Sequence, residues 1–176
     1  MAAWIAERFG SLSRGRRVYW DSSEPVSGRP GEHRPPFFGY APLIRLTSGD
    51  DLSGVEKCVV LIYELHNLAR YPEFLDVLYR ARRGKIGREE FALSCSRIEY
   101  AAIGDTQEFL REHPLTSVDD PFHPFCRDLL AYPKSFDDWV RWLDQRGPGE
   151  YDPRDYFARL YDEYTQYIRE SRAPFP

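Results

Sequence analysis

The chain has 176 residues, of which 42% are hydrophobic and 30% charged, with a net charge of -4 at neutral pH. That length supports a core without disulfide or metal staples, and the balance excludes a disordered tract. With a pI near 5.6, nucleic acid is not expected as a partner, because phosphate binding needs Lys and Arg concentrated on one face. The basic groups Arg14, Arg16, Arg17 and Arg80, Arg82, Arg83, Lys85 read as solvated surface and helix ends. No apolar run approaches the roughly 20 residues of a spanning helix, and the first residues show no apolar stretch with a cleavage site, so no membrane partner is expected. A cytoplasmic protein, or one delivered by a signal-independent secretion system, is the expectation. Cys58, Cys95 and Cys126 are odd in number and lack CxxC spacing, which suits small buried hydrophobes in a reducing compartment.

Residues 1–50 are rich in Pro, Gly, Ser and Arg and form a loop-rich arm. They hold two short extended candidates, Arg16–Trp20 and Pro42–Thr47, separated by a long loop. Helical signals dominate the core segment 51–113. Ser53 followed by Glu56 is a capping box opening a helix that runs to Arg70. Pro72 suits the first turn of a second helix, which stops near Gly84, and a third runs from about Arg88 to Glu112. The remainder, 114–176, is aromatic and acidic, with 12 Asp and Glu against 8 Lys and Arg. After a proline-marked loop, Ser135 caps a fourth helix up to Gly147, and Asp152 with Pro153 opens a fifth to about Ser171. The expected fold is one mainly α domain with a small N-terminal β element (α+β), in which about five helices surround a buried central helix.

Polar side chains break the apolar pattern at two places. The first helix is apolar almost all round, and at about 100° per residue Ser53, Lys57, Val60, Glu64 and Asn67 fall on its single polar stripe. His66 lies about 160° from Glu64 on that wheel, among apolar neighbours, as a satisfied core histidine does. On the third helix Glu90, Ser94, Arg97, Glu108 and Glu112 form the polar face. Glu99 points the opposite way, among Ala92, Cys95, Ala102, Ile103 and Thr106. A carboxylate there needs a partner, since a lone buried charge costs several kcal/mol. It bonds a core donor, or it joins Glu64 in a shared site that holds a divalent metal or divides acid and base roles. His33, His113 and His123 fall in expected loops and read as surface residues.

A strand at Pro42–Thr47, a buried helix carrying Tyr63-Glu64-Leu65-His66-Asn67 and a later helix with Glu99-Tyr100-Ala101-Ala102 resemble the layout of small zincin-type metallopeptidases. The resemblance covers about 70 residues, Pro42 to Glu112. It implies Glu64 in the general-base place, Tyr63 and Asn67 in the two histidine places of HExxH, and Glu99 as third ligand. Both imidazoles are missing, so the resemblance implies a degenerate relative in which a working zinc peptidase is not expected. Two functions follow. One is a non-catalytic protein–protein interaction domain of bacterial effector, immunity or adaptor type, docking another protein through its acidic aromatic C-terminal half and needing no cofactor. The other is a small peptidase-like hydrolase using Glu64 and Glu99, assisted by a divalent metal, with Tyr63 and Asn67 as helpers.

Overall fold

The computed structural model describes residues 9–10, 18–21, 31–34, 43–47, 52–114, 124–146 and 152–172. Three short strands, β1 (Val18–Asp21), β2 (Gly31–Arg34) and β3 (Leu43–Thr47), precede six helices. These are α1 (Gly54–Ala69), α2 (Tyr71–Arg82), α3 (Arg88–Glu112), α4 (Pro124–Ala131), α5 (Phe136–Asp144) and α6 (Pro153–Arg172). The mainly helical fold with a small β element is as expected, with two additions. β2 lies inside what reads as a long loop, and α4 lies inside the proline-marked connection.

The sheet is ordered β1-β3-β2, with β3 parallel to β1 and antiparallel to β2. In β3, Ile44 and Leu46 are buried and sit on one face at the period of two that a half-covered strand requires. β2, Gly-Glu-His-Arg, has no apolar residue, and its pairing partner holds it in place: Gly31 faces Leu46 and Arg34 faces Leu43 across the ladder.

Helix boundaries follow local chemistry. Ser53 Oγ accepts from the Glu56 N–H at 3.3 Å while Glu56 Oε2 accepts from the Ser53 N–H at 2.7 Å, which satisfies two of the orphan amides at the start of α1. α2 ends where Gly84 takes φ 68 and the Gly84 and Lys85 amides return to Ala81 and Arg80 carbonyls, the left-handed closure that glycine permits. Only Arg70 separates α1 from α2. Its guanidinium donates to Glu73 at 2.8 Å and to Asp105 at 2.7 Å, tying the elbow to α3.

Two apolar clusters make the interior. The first joins the sheet (Ile44, Leu46), α1 (Val59, Val60, Leu65), the C-terminal part of α3 (Ala102, Ile103), α4 (Cys126, Leu129) and α5 (Trp139, Leu143). The second joins α2 (Phe74, Val77, Leu78), the N-terminal half of α3 (Phe91, Cys95, Ile98) and α6 (Phe157, Tyr164). The 25-residue α3, roughly 37 Å long at helical rise, therefore serves both. Cys95 and Cys126 are buried as expected and Cys58 is half-buried; all three are free thiols. Among the described residues no helix is long and apolar enough to cross a membrane.

Gly104 does not interrupt α3. It is exposed, and a Cβ built on it meets nothing within 4 Å, so the glycine only adds backbone entropy to the unfolded chain. Gly104→Ala is expected to stabilise the fold by about 0.5–1 kcal/mol, read as a higher urea midpoint at unchanged slope. A lower midpoint would mean that residue 104 packs against something.

Candidate functional site

The site is built where β2 crosses α1. Val60, Glu64 and Asn67 lie on one side of α1 at four- and three-residue steps, and all three are buried. β2 approaches them closely because position 31 is glycine. A Cβ there would stand 2.6 Å from Val60 Cγ1, 3.1 Å from Leu46 Cδ2 and 3.4 Å from Glu64 Cγ. Two residues along, His33 faces the same side of the strand. It reaches α1 with Nδ1 3.4 Å from Glu64 Oε2, and its ring lies 5.3 Å from that of Phe74 on α2.

Sequence reasoning placed His33 in a surface loop. The structure corrects this: the residue lies on β2 and is 8% exposed. The physical reason is the pairing with β3 and the close approach of Gly31, neither of which a run of polar residues signals. The available hint was Gly31-Glu32-His33-Arg34 as the only stretch free of proline between Pro30 and Pro35.

Several polar atoms of the cluster are buried without a hydrogen bond. Glu64 is 3% exposed and Asn67 0%. Neither carboxamide atom of Asn67 has a hydrogen-bond partner, and the same holds for Glu64 Oε2 and His33 Nε2. The His33–Glu64 contact is thus electrostatic without being a hydrogen bond. A buried donor or acceptor left unpaired costs about 1–3 kcal/mol, and these four atoms belong to two neighbours on one stripe of α1 and to the histidine that touches one of them.

The other sequence-identified residues are positioned as follows. Tyr63, in a histidine place of the zincin-like layout, is 8% exposed beside Glu64 in the chain and engaged in interactions of its own. Glu99 is inward, as its position on α3 requires, at 6% exposure. It also interacts with its surroundings, and its charge adds to the burial that pushes the Cys95 thiol up. The described contact of the Glu64 carboxylate comes from His33. His66 is a core histidine: it is 2% exposed, with Nδ1 3.1 Å from Thr106 Oγ1. The Thr106 hydroxyl also reaches back within its own helix, donating to the Ala102 carbonyl at 2.8 Å. His113 is exposed at the end of α3 with its ring 4.7 Å from Phe109. His123 lies outside the described residues.

Aromatic side chains of α3, α5 and the turn between α4 and α5 join the first apolar cluster. Trp139 packs on Tyr100, Tyr132 and Phe136, Tyr100 donates to the Pro133 carbonyl at 2.8 Å, and Arg97 and Arg146 lie 4.4 Å over Phe136 and Trp142. Several acids of the C-terminal half are paired: Asp138 with Ser135 and Arg141, which hold its carboxyl below the usual range, Asp144 and Asp152 with Arg154, and Asp162 with Arg88. Burial and the Glu56 charge push the Cys126 thiol up to about 12.

Among the described residues no group of three His, Cys, Asp or Glu side chains converges to hold a metal ion. In comparison with known proteins, the chain matches no protein-family model, no curated protein and no solved structure. The close seating of β2 is open to a direct check. Gly31→Ala is expected to cost about 1–3 kcal/mol, since Val60 and Leu46 must move to admit a methyl group. An unchanged thermal midpoint in that variant would show that β2 does not lie against α1.

Proposed function

We propose that the chain is a small hydrolase whose reaction centre is the buried cluster of Glu64, Asn67 and His33. One observation carries the reading: Asn67 is 0% exposed with neither carboxamide atom hydrogen-bonded, on the same helix stripe as a buried carboxylate. A penalty of about 1–3 kcal/mol retained there suits a site prepared for a polar substrate group. Asn67 Nδ2 donates to the oxygen that gains charge when a carbonyl is attacked, and Glu64 takes the proton of the attacking water. His33 orients the Glu64 carboxylate. Glu64 thereby fills the water-activating place that the zincin resemblance gives it. Glu99, buried on the neighbouring helix, is the second acid–base group of this reading, and Tyr63 an electrostatic helper.

The test is turnover of a panel of chromogenic esters and fluorogenic peptides by the purified chain. Glu64→Gln is expected to abolish activity above background with its circular dichroism unchanged, and Asn67→Ala to lower kcat by roughly 10²–10³. Wild-type rates no different from those of Glu64→Gln across the panel would sink the reading.

A second reading is a non-catalytic domain of effector, immunity or adaptor type that docks another protein through the C-terminal half. It is favoured by Leu130 and Tyr167, exposed at 41% and 49%, on the part of the chain with the acidic excess. In that case Leu130→Asp with Tyr167→Asp abolishes capture of the partner while Glu64→Gln leaves it intact; the reverse pattern would exclude docking through these residues.

A further inference from the structure

We infer that the cluster binds one divalent transition-metal cation, of the zinc or manganese class, through His33 Nδ1, Glu64 Oε2 and the carboxamide oxygen of Asn67. This takes the reaction centre proposed above as its site, and three observations support it.

The first is a distance. His33 Nδ1 and Glu64 Oε2 are 3.4 Å apart, whereas a charge-assisted bond between such groups closes to about 2.7–2.9 Å. Two ligands held at about 2.0–2.2 Å from a tetrahedral cation stand roughly 3.4 Å from each other. The pair has the spacing of two donors to a common ion.

The second is that the atoms with spare lone pairs are those a cation would use. Glu64 Oε2 and Asn67 Oδ1 are both buried and without hydrogen bonds, one helical turn apart on α1.

The third is charge. Glu64 is 3% exposed, its nearest described cationic candidate is an imidazole, and a buried carboxylate needs full compensation. One nitrogen and two oxygens form a mixed set that suits zinc or manganese better than calcium or a soft monovalent ion. Because the third donor is a carboxamide, the set lies outside any trio of His, Cys, Asp and Glu. Three protein donors leave a coordination position for water, whose proton a bound cation loosens.

The experiment uses the full chain, stripped with EDTA and titrated calorimetrically with ZnCl2, MnCl2 and, as a control, MgCl2. One equivalent of zinc or manganese is expected to bind saturably, with at least a tenfold loss of affinity in His33→Gln, Glu64→Gln and Asn67→Ala. Cobalt(II) added to the stripped wild type should give visible ligand-field absorption that His33→Gln weakens. A metal-induced rise in Tm, present in wild type and absent in whichever variants stay folded, covers the case in which one substitution disrupts the fold. The absence of saturable binding would overturn the inference, as would binding that survives all three substitutions in folded protein. Hydrolysis that continues with EDTA and no bound metal leaves the hydrolase standing and removes the cation; one bound equivalent without hydrolysis does the opposite.

Discussion

The missing side chain at position 31 lets β2 settle directly onto the side chains of α1. With Val60 Cγ1 2.6 Å from where a Cβ would be, no other residue fits there without displacing the helix surface. That seating turns the one polar stripe of α1 from a solvent-facing edge into an interior surface. It also carries His33 inward with it. The cover over Val60 and Glu64 and the His33 contact follow from this packing constraint.

The polar cluster also falls where two apolar regions meet. His33 touches Glu64 on α1, a helix of the first cluster, and Phe74 on α2, which belongs to the second. Glu99 occupies a similar place on α3, between Ile98 of the second cluster and Ala102 of the first. Polar side chains inside a protein are costly within a continuous apolar layer and less so at a boundary, where packing is already divided between elements. Other buried polar side chains are bonded: Ser96 and Thr106 each donate to the carbonyl four residues back, and His66 is held by Thr106, while the single nitrogens Arg45 Nε, Arg70 Nε and Trp139 Nε1 make no hydrogen bond. The contrast between these satisfied groups and the Glu64–Asn67–His33 set is what singles out the latter.

How much of this the sequence discloses depends on whether the governing interaction is local. The capping box at Ser53 and Glu56, the proline at the start of α2, the glycine closure at Gly84 and the inward position of Glu99 are set within a turn or two, and each is readable from spacing. β2 is different. Gly-Glu-His-Arg has no strand signal of its own, and its extended form is imposed by the ladder to β3 and the cover of α1, tertiary context that overrides propensity. The burial of His33 was hidden for the same reason. α4, only eight residues long and opening on Pro124, spans barely two turns, too short for a periodic pattern to announce it. Helical wheels placed Glu64 and Asn67 together, whereas only coordinates could show that a strand closes over them.

The sharing of α3 between the two clusters bears on how the molecule comes apart. A helix of this length detached along half its faces is marginal in water, so loss of either cluster removes the support on which the other depends. The elbow at Arg70, tied to Asp105 on the same helix, adds a polar brace across that dependence. Loss of the two clusters is therefore one collective event, and the middle of α3, around Glu99, is the last backbone to exchange its amide protons with solvent.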